Sequence, residues 1–384
     1  MKRIFILLLL FLLLFPSCKE LYNYEGPGEN SIVVDGMITD APGPYYITLN
    51  KVLPFSNNPS SGNDTNYLVQ GAIVFIKSDK GENVQLQEYN PGNYKTNGSD
   101  IQGEVGHSYY ITIQTREGDV YESLPSTICE SPVISDIDVN IEKQSFLETN
   151  SEGNQVATEV EGMAVSAQMK LNNTSKYFKI DVEGVYQIQR IIERPISICE
   201  GCKTACLGCN DIPIYCWSNF SDLLPNIFEV NSSSSVNNLD NVPAIFIQPI
   251  DPIYLEKTIL PLDLERTPIV SGYIVDIKAY DIDENIYEYY RNVITLFSAQ
   301  NKIFDPIPVQ LTGNIKCINK PEKIAYGIFI ATSVNRKQFF IVWNPGTSDI
   351  LKKEMGTIYN IPQDSACTEY DTLQPVWWQN INGK

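Results

Sequence analysis

The sequence holds only one histidine, His107, among its 384 residues. A lone histidine excludes metal sites that need two imidazole ligands. It also argues against a serine–histidine–aspartate triad, since no segment resembles the strained turn that carries a nucleophilic serine. Because His107 stands in a Gly-His-Ser-Tyr-Tyr segment, we interpret it as a residue at a turn or a strand edge, not as a catalytic group.

Positive charge is also scarce, because 28 lysine and arginine residues face 46 aspartate and glutamate residues and give a net charge of −18. Such a surface repels nucleic acids and anionic lipid head groups. The sequence lacks a strand, a glycine run and a helix in the order that cradles a nucleotide phosphate. Residues 281–285 begin like a calcium loop but lack the glycine and the glutamate that complete one. We predict no nucleic-acid partner, no metal site and no cofactor.

Long apolar runs are confined to the N-terminus, where residues 4–15 follow Lys2 and Arg3. This run is shorter than the roughly 20 residues that span a bilayer. Together with the small residue Ser17, it predicts a signal peptide over residues 1–17. Cys18 follows directly, as in the bacterial lipobox, so we predict that this cysteine is lipidated and anchors the chain to a membrane. The alternative is a plain secretory signal, with Cys18 in a disulfide.

Eight further cysteines follow Cys18. An exported protein meets an oxidising compartment, and an even number of cysteines there most often forms disulfides. The sequence does not choose among the pairings. The candidates are Cys129, Cys199, Cys202, Cys206, Cys209, Cys216, Cys317 and Cys367.

Five of these cysteines crowd into residues 199–216. Thiolates at C-x-x-C spacing chelate zinc or build an iron–sulfur cluster. Zinc ribbons place roughly 15–20 residues between their two pairs, whereas only three residues separate Cys202 from Cys206. We therefore favour a disulfide-stapled, cysteine-rich loop over residues 199–216, with a metal site as the alternative.

Short segments rich in β-branched and aromatic residues, separated by turn residues, recur from residue 31 to residue 342. This pattern indicates antiparallel sandwiches. After a lipidated polar tether over residues 18–30, we predict an N-terminal β-sandwich over residues 31–128 and a C-terminal β-rich domain over residues 129–384. The predicted fold is mainly β, with two immunoglobulin-like or fibronectin-like sandwich domains. The second domain carries one inserted amphipathic helix and the cysteine-rich loop.

That helix is predicted near residues 282–299, where apolar residues repeat along one helical face. Asp281 and Glu284 resemble a capping box at its start. The tyrosines on the apolar face have two interpretations, a ligand platform and core packing on a sheet, and we favour packing. The face comprises Ile286, Tyr289, Tyr290, Val293 and Phe297.

A set of turn and strand motifs runs in order along nearly the whole mature chain. The motifs occupy residues 32–40, 91–94, 106–110, 118–123, 216–217, 305–308, 312–315, 325–329 and 375–378, with Cys367 ahead of the last. In order and spacing they resemble the Bacteroidota lipoprotein family catalogued as domain of unknown function 4249. The resemblance implies an outer-membrane lipoprotein, often encoded beside a TonB-dependent transporter. It implies no established activity.

We therefore expect a non-enzymatic outer-membrane lipoprotein that acts as an accessory to a TonB-dependent transporter or another envelope machine by binding a ligand or a protein surface, with an outer-membrane barrel protein as its partner. One alternative is a carbohydrate- or peptide-processing enzyme, since 46 acidic residues leave room for a hidden carboxylate pair. Another is a structural or adhesive surface protein. Ser365 and Thr372 stand in Asp-Ser/Thr-apolar segments that resemble Bacteroidota O-glycosylation sites. Acidic residues after Cys18 favour the cell surface over the periplasmic face.

Overall fold

The computed structural model describes residues 31–52, 67–149, 154–172, 176–195, 209–221, 224–230, 238–248, 269–299, 311, 313–343, 350–355, 360–361 and 374–375. This part of the chain is mainly β, as predicted, with 22 strands and one helix. The first eleven strands are β1 (Ile32–Thr39), β2 (Tyr46–Lys51), β3 (Ile73–Ser78), β4 (Asn83–Gln85), β5 (Gln87–Asn90), β6 (Asn93–Lys95), β7 (Ser108–Gln114), β8 (Val120–Ser123), β9 (Ser126–Thr127), β10 (Val133–Thr149) and β11 (Gln155–Lys170). The remaining elements are β12 (Tyr177–Pro195), β13 (Cys209–Ser221), β14 (Asn226–Glu229), β15 (Asn238–Ile247), β16 (Ile269–Ile282), the helix α1 (Glu284–Ala299), β17 (Ile315–Cys317), β18 (Ala325–Thr332), β19 (Val334–Trp343), β20 (Ile350–Met355), β21 (Asn360–Ile361) and β22 (Gln374–Pro375).

Two sheets pack against each other to form what we call the N-terminal sandwich. One sheet has the strand order β18-β1-β2-β6-β5, and the other has the order β17-β8-β7-β3-β4 with β9 beside β7. Alternate residues of β7 face the core, where Tyr109, Ile111 and Ile113 are fully buried. This period of two is expected of strands that cover a core with one face and meet solvent with the other.

The N-terminal sandwich takes two of its strands from the far end of the chain. β18 lies parallel to β1 over eight residue pairs, and β17 pairs with β8. Phe329 of β18 is fully buried in the same core as Ile47 of β2 and Tyr121 of β8. The range predicted for this sandwich, residues 31–128, therefore omits two of its strands.

A second pair of sheets forms the C-terminal sandwich. The three-stranded sheet β10-β11-β15 packs on a six-stranded sheet with the order β13-β12-β16-β19-β20 and β14 beside β12. Met163 and Val165 of β11 lie in one core with Phe178 of β12, Val275 of β16 and Ile341 of β19. Full burial of each large apolar side chain contributes roughly 1.5–3 kcal/mol, so this shared core is what holds the two sheets together.

The helix α1 begins directly after β16. The Ile286 amide donates a hydrogen bond to Asp283 Oδ1 at 2.9 Å, which caps the helix. The predicted cap at Asp281 is wrong, because β16 continues to Ile282 and keeps Asp281 paired with Phe178 in the sheet. The helix itself, predicted near residues 282–299, is confirmed.

The tyrosine face of α1 packs where the two sandwiches meet. Ile286 lies in an apolar cluster with Ile328 and Ile330 of β18, and Tyr289 and Tyr290 pack against that cluster. The core-packing interpretation of these tyrosines is therefore confirmed. The end of the predicted face is wrong, because the Phe297 side chain in the last turn is 49% exposed.

Part of the predicted cysteine-rich loop is a strand. Residues 209–216 belong to β13, which pairs with β12 from Glu183 opposite Ser221 to Pro195 opposite Cys209. Pairing with a neighbouring strand overrides the weak local preference of a cysteine- and glycine-rich stretch. The rest of that loop lies outside the described residues.

Candidate functional site

A cleft of about 740 Å³ lies on the C-terminal sandwich. It occupies the face of the β10-β11-β15 sheet that points away from the core, and we call it the outer cleft. Its lining comes from these three strands and from the segment that leads into β14. The residues are Asn140, Glu142, Gln144, Ala164, Val165, Ser166, Leu224, Asn226, Asn241, Pro243, Ala244, Ile245 and Phe246.

Small residues on the middle strand form the floor of the outer cleft. β11 buries Met163 and Val165 in the core, so the alternation of a strand turns Gly162, Ala164 and Ser166 to the opposite face. The flanking strands carry larger side chains on that face. A row of small side chains between two rows of larger ones leaves a trough along β11.

The polar wall of the outer cleft comes from β10. Asn140 stands opposite Ala164 and Glu142 stands opposite Gly162, and Gln144 follows on the same face. All three polar side chains are exposed. Within the described part of the chain these side chains make no hydrogen bond.

The facing wall comes from β15 and is apolar. Phe246 stands opposite Ala164, and Pro243 lies on the same wall. A Cβ atom at Gly162 would lie 2.6 Å from Phe246 Cζ, so the ring leans over the middle strand and needs glycine beneath it. The Phe246 ring also meets the Phe146 ring of β10, with centroids 5.8 Å apart, and this pair bridges the two walls.

Irregular pairing between β11 and β15 shapes the cleft. The register shifts between Val165 and Ser166, and Asn241 has a positive φ of 57°. Bulges of this kind bend a strand and increase its twist. The Asn226 Nδ2 atom donates a hydrogen bond to the Ala244 carbonyl at 2.7 Å, which fixes the edge of β15 against β14.

A second concavity of about 410 Å³, which we call the junction groove, lies between the two sandwiches. Asp35 of β1 lines one side, and Lys278 and Tyr280 of β16 line the other. Asp35 is an exposed residue, although neighbouring protein partly desolvates its carboxyl group. Burial raises the pKa of Asp35, Lys179 lowers it by a smaller amount, and Asp181 adds to the rise. Among the described acidic residues with a shifted pKa, this is the one raised.

A buried lysine sits beneath α1 beside this groove. Lys179 is 4% exposed, and its ammonium lies 2.7 Å from Asp181 Oδ2. It also lies 4.7 Å from the ring centre of Tyr280 and 5.2 Å from that of Tyr290. A buried charge is costly unless it is paired, and ring faces attract cations. The tyrosines therefore help to hold Lys179 in the fold.

The lone histidine lies where the sequence places it. His107 is in the turn before β7, and its Nδ1 atom lies 3.0 Å from Asp79 Oδ1. The amide of Ser108 donates a hydrogen bond to the other Asp79 oxygen at 3.1 Å. These bonds, the Ser108 bond first, lower the pKa of Asp79. This contact ties the turn to the end of β3, as expected of a turn residue.

The structure describes the side chains of two candidate disulfide cysteines. Cys129 is exposed, Cys317 is buried, and both are free thiols. Burial, followed by Asp281 and Asp283, raises the pKa of the Cys129 thiol. The pairing of the candidates stays a prediction. The side chains of Cys199, Cys202, Cys206, Cys209, Cys216 and Cys367 lie outside the described residues.

Cys18, predicted to be lipidated, and Ser365 and Thr372, predicted to be glycosylated, also lie outside the described residues. In the described part of the chain, no three His, Cys, Asp or Glu side chains are grouped so that they would hold a metal ion. The described residues also contain no helix with the length and apolar character needed to cross a membrane.

Comparison with known proteins places the chain in a family. A family model described as "Domain of unknown function (DUF4249)" matches residues 19–338. The chain belongs to the DUF4249 family. The family predicted from the motifs is thereby confirmed. A search of the curated proteins finds no match to this DUF4249 protein.

Sequence reasoning did not single out the outer cleft of this DUF4249 protein. Residues 137–142 alternate apolar and polar side chains, which indicates a strand with one solvent-facing side but does not indicate that this side is concave. The available signal was the run 162–166, where small residues alternate with Met163 and Val165. Alternating small residues on a central strand leave space on one face of the sheet, and the strand register was needed to show what surrounds that space.

Proposed function

We propose that this DUF4249 protein is a non-enzymatic lipoprotein of the outer membrane that binds a ligand or a protein surface as an accessory to a TonB-dependent transporter or another envelope machine. The observation that carries the binding role is the outer cleft. Its volume of about 740 Å³ falls within the roughly 300–1,000 Å³ typical of ligand sites.

The polar groups of the outer cleft support binding. Asn140, Glu142 and Gln144 are exposed and make no hydrogen bond within the described residues. A ligand that pairs with them replaces water without breaking a hydrogen bond to any of the described residues. Each such hydrogen bond contributes about 1 kcal/mol, so several of them together with the apolar wall give useful affinity.

The anchor in this proposal is a lipid on Cys18. The family match begins at residue 19, directly after that cysteine. In this proposal residues 19–30 act as the tether, since twelve residues span at most about 40 Å when fully extended. The same proposal includes disulfides among the remaining cysteines, O-glycosylation at Ser365 and Thr372, and display at the cell surface. It also includes the immunoglobulin-like class of both sandwiches and the cysteine-rich loop.

The experiment is a pull-down of the tagged full chain from detergent-solubilised outer membranes of the native host. We expect the wild type to co-purify a barrel protein. Cys18→Ala is expected to appear in the soluble fraction or as an uncleaved precursor, because the acyl acceptor is gone. Cys129→Ala is the matched control, since it removes another exposed cysteine and leaves the anchor intact. Normal processing and membrane retention of Cys18→Ala would contradict the anchor.

Asp35 favours a second candidate, a carbohydrate- or peptide-processing enzyme. A carboxyl whose pKa is raised by burial, at the edge of a groove, is suited to proton transfer. Hydrolysis by a carboxylate pair needs a second acid, and Asp181 is the nearby acid that influences Asp35. An assay of hydrolysis distinguishes the two candidates. Release of product from an oligosaccharide or a peptide by the wild type, and its loss in Asp35→Asn, would favour the enzyme over the binding protein.

A further inference from the structure

The outer cleft is polar but carries little charge. Its lining residues within the described chain include one carboxylate, Glu142, and no lysine or arginine. An anionic ligand would meet no cation there, and a polycation would meet a single acid. Neutral groups instead dominate the polar lining, with Asn140, Gln144, Asn226 and Asn241 as the amides and Ser166 as the hydroxyl.

The floor of the cleft also limits how a ligand is recognised. β11 pairs with β10 on one side and with β15 on the other, apart from register shifts against β15 between Val165 and Ser166 and between Ala167 and Met169, so most of its backbone groups are already paired. An extended peptide binds a sheet through unpaired backbone groups at an edge strand, and this cleft lies on the face of a central strand. Recognition must therefore come from side chains.

The side chains of the two walls differ in chemistry. On the polar wall, Asn140, Glu142 and Gln144 follow one another at alternate positions, about 6.6–6.8 Å apart along the strand. Amides donate and accept hydrogen bonds at once, which suits hydroxyl groups that do the same. On the facing wall, Phe246 and Pro243 offer apolar surface, which suits the C–H face of a sugar ring.

We propose that the outer cleft binds a neutral, polyhydroxylated chain, an uncharged oligosaccharide that lies along β11 with its hydroxyls toward β10 and its ring faces toward Phe246. This inference rests on the binding role proposed above and names its ligand class. The Phe146–Phe246 pair marks one end of the site, because it bridges the two walls above the middle strand.

The test is an array that carries uncharged hexasaccharides of glucose, mannose, xylose and galactose, a galacturonic acid hexamer, and uncharged peptides of similar length. The detergent-purified full chain is applied to it, and binding is then measured by calorimetry with the retained sugar. We expect retention by at least one uncharged hexasaccharide. The double variant Asn140→Ala with Gln144→Ala is expected to weaken that binding about tenfold or more, because two hydrogen-bonding groups are lost.

Two tryptophan variants separate the cleft from the rest of the sheet. Ser166→Trp fills the floor and is expected to abolish retention. Val156→Trp lies on the same strand at a side chain that is 47% exposed and outside the cleft lining, so it is expected to bind like the wild type. Far-ultraviolet circular dichroism and thermal unfolding establish that both variants are folded.

The other outcomes count against the proposal. Retention on the peptides alone, lost in Ser166→Trp, would overturn the sugar class while leaving the binding role in place. Preference for the galacturonic acid hexamer would overturn the neutral class. Binding to none of the probes, or sugar binding that Ser166→Trp leaves intact, would overturn the assignment of the cleft. The transporter pull-down judges the accessory role separately, since it does not depend on any sugar.

Discussion

Gly327 of β18 lies where the backbones of two strands of the N-terminal sandwich approach closely, and a side chain at this position would prevent that approach. Its φ is +88°, and a Cβ atom there would lie 1.9 Å from the Val34 carbonyl oxygen. The parallel strands β1 and β18 are thus in backbone contact at this point. Both the left-handed φ and the close approach require glycine.

We expect Gly327→Ala to lower the free energy of unfolding by about 3 kcal/mol or more, since it adds a backbone clash to an unfavourable φ. Gly81→Ala is the matched control, because Gly81 has a φ of +87° and nothing within 4 Å of an added Cβ. That control is expected to cost about 1 kcal/mol. Urea denaturation of both variants measures the difference, and equal losses would show that the close approach does not matter.

Asp119 attaches the segment after β17 to β8. Its side chain is 5% exposed and forms ion pairs with Lys320 and Lys323. Burial raises the pKa of Asp119, but the two lysines outweigh it and hold the pKa below the ordinary 3.8. A depressed folded pKa means that the stabilisation is present above the unfolded pKa and is lost as the pH falls through the folded one.

Asp119→Asn is therefore expected to be less stable than the wild type at pH 7 by about 1 kcal/mol, since the lysines are partly exposed and solvent screens them. The difference is expected to shrink as the pH falls below 3.8. Urea unfolding at a series of pH values checks this. Asp100→Asn, an exposed site, is expected to match the wild type throughout, and a deficit in Asp119→Asn that does not change with pH would refute the ion-pair account.

Among the elements, α1 depends on its first turn. Asp283 Oδ1 accepts the hydrogen bond of the Ile286 amide at 2.9 Å, and the Asp283 carbonyl accepts that of Tyr287. Asp283→Ala is expected to cost about 1 kcal/mol, the usual contribution of such a cap. Asp283→Ser keeps a capping oxygen and is expected to recover most of it. Thermal unfolding followed by circular dichroism compares the two, and equal midpoints would contradict the cap.

Strands and helices with a regular repeat of apolar residues could be predicted from the sequence, but the residues at which they begin and end could not. β7 alternates Tyr109, Ile111 and Ile113 with polar partners, and the apolar residues of α1 repeat at helical spacing. Both patterns reflect which face meets the core. The start of α1 was misplaced because two acids, Asp281 and Asp283, precede it, and only the pairing of β16 with β12 decides between them.

At the scale of the whole molecule, contacts distant in sequence decide the architecture. Nothing in residues 325–332 indicates that they lie beside residues 32–39 rather than within the C-terminal sandwich. The same applies to the outer cleft, since its walls meet only through the registers of β11 with β10 and β15. The periodicity of a segment shows which face of that strand is buried. It does not show which strand lies beside it, because that depends on how all the apolar faces of the chain pack together.

The N-terminal sandwich needs strands from the far end of the chain. A fragment of residues 31–128 lacks β17 and β18, which leaves the edge of β1 unpaired and removes the fully buried Phe329 from the core. It also removes Ile315 and Ala325 from that core. Loss of a buried phenylalanine alone costs roughly 3–5 kcal/mol, comparable to the whole stability of a small domain. We therefore expect this fragment to lack a cooperative unfolding transition.

The amide of Leu124 donates a hydrogen bond to the Asn314 carbonyl at 2.8 Å, so residues 313–333 start close to where the fragment ends. A Gly/Ser linker that joins residues 31–128 to residues 313–333 is therefore expected to restore a cooperative transition, measured by urea denaturation and by the dispersion of amide resonances. The same fusion with residues 313–333 in scrambled order is the control, and it is expected to stay unfolded because Phe329 no longer reaches the core. If the unfused fragment unfolds cooperatively with the same midpoint as the native-order fusion, then residues 31–128 form a stable sandwich without β17 and β18, and this prediction is wrong.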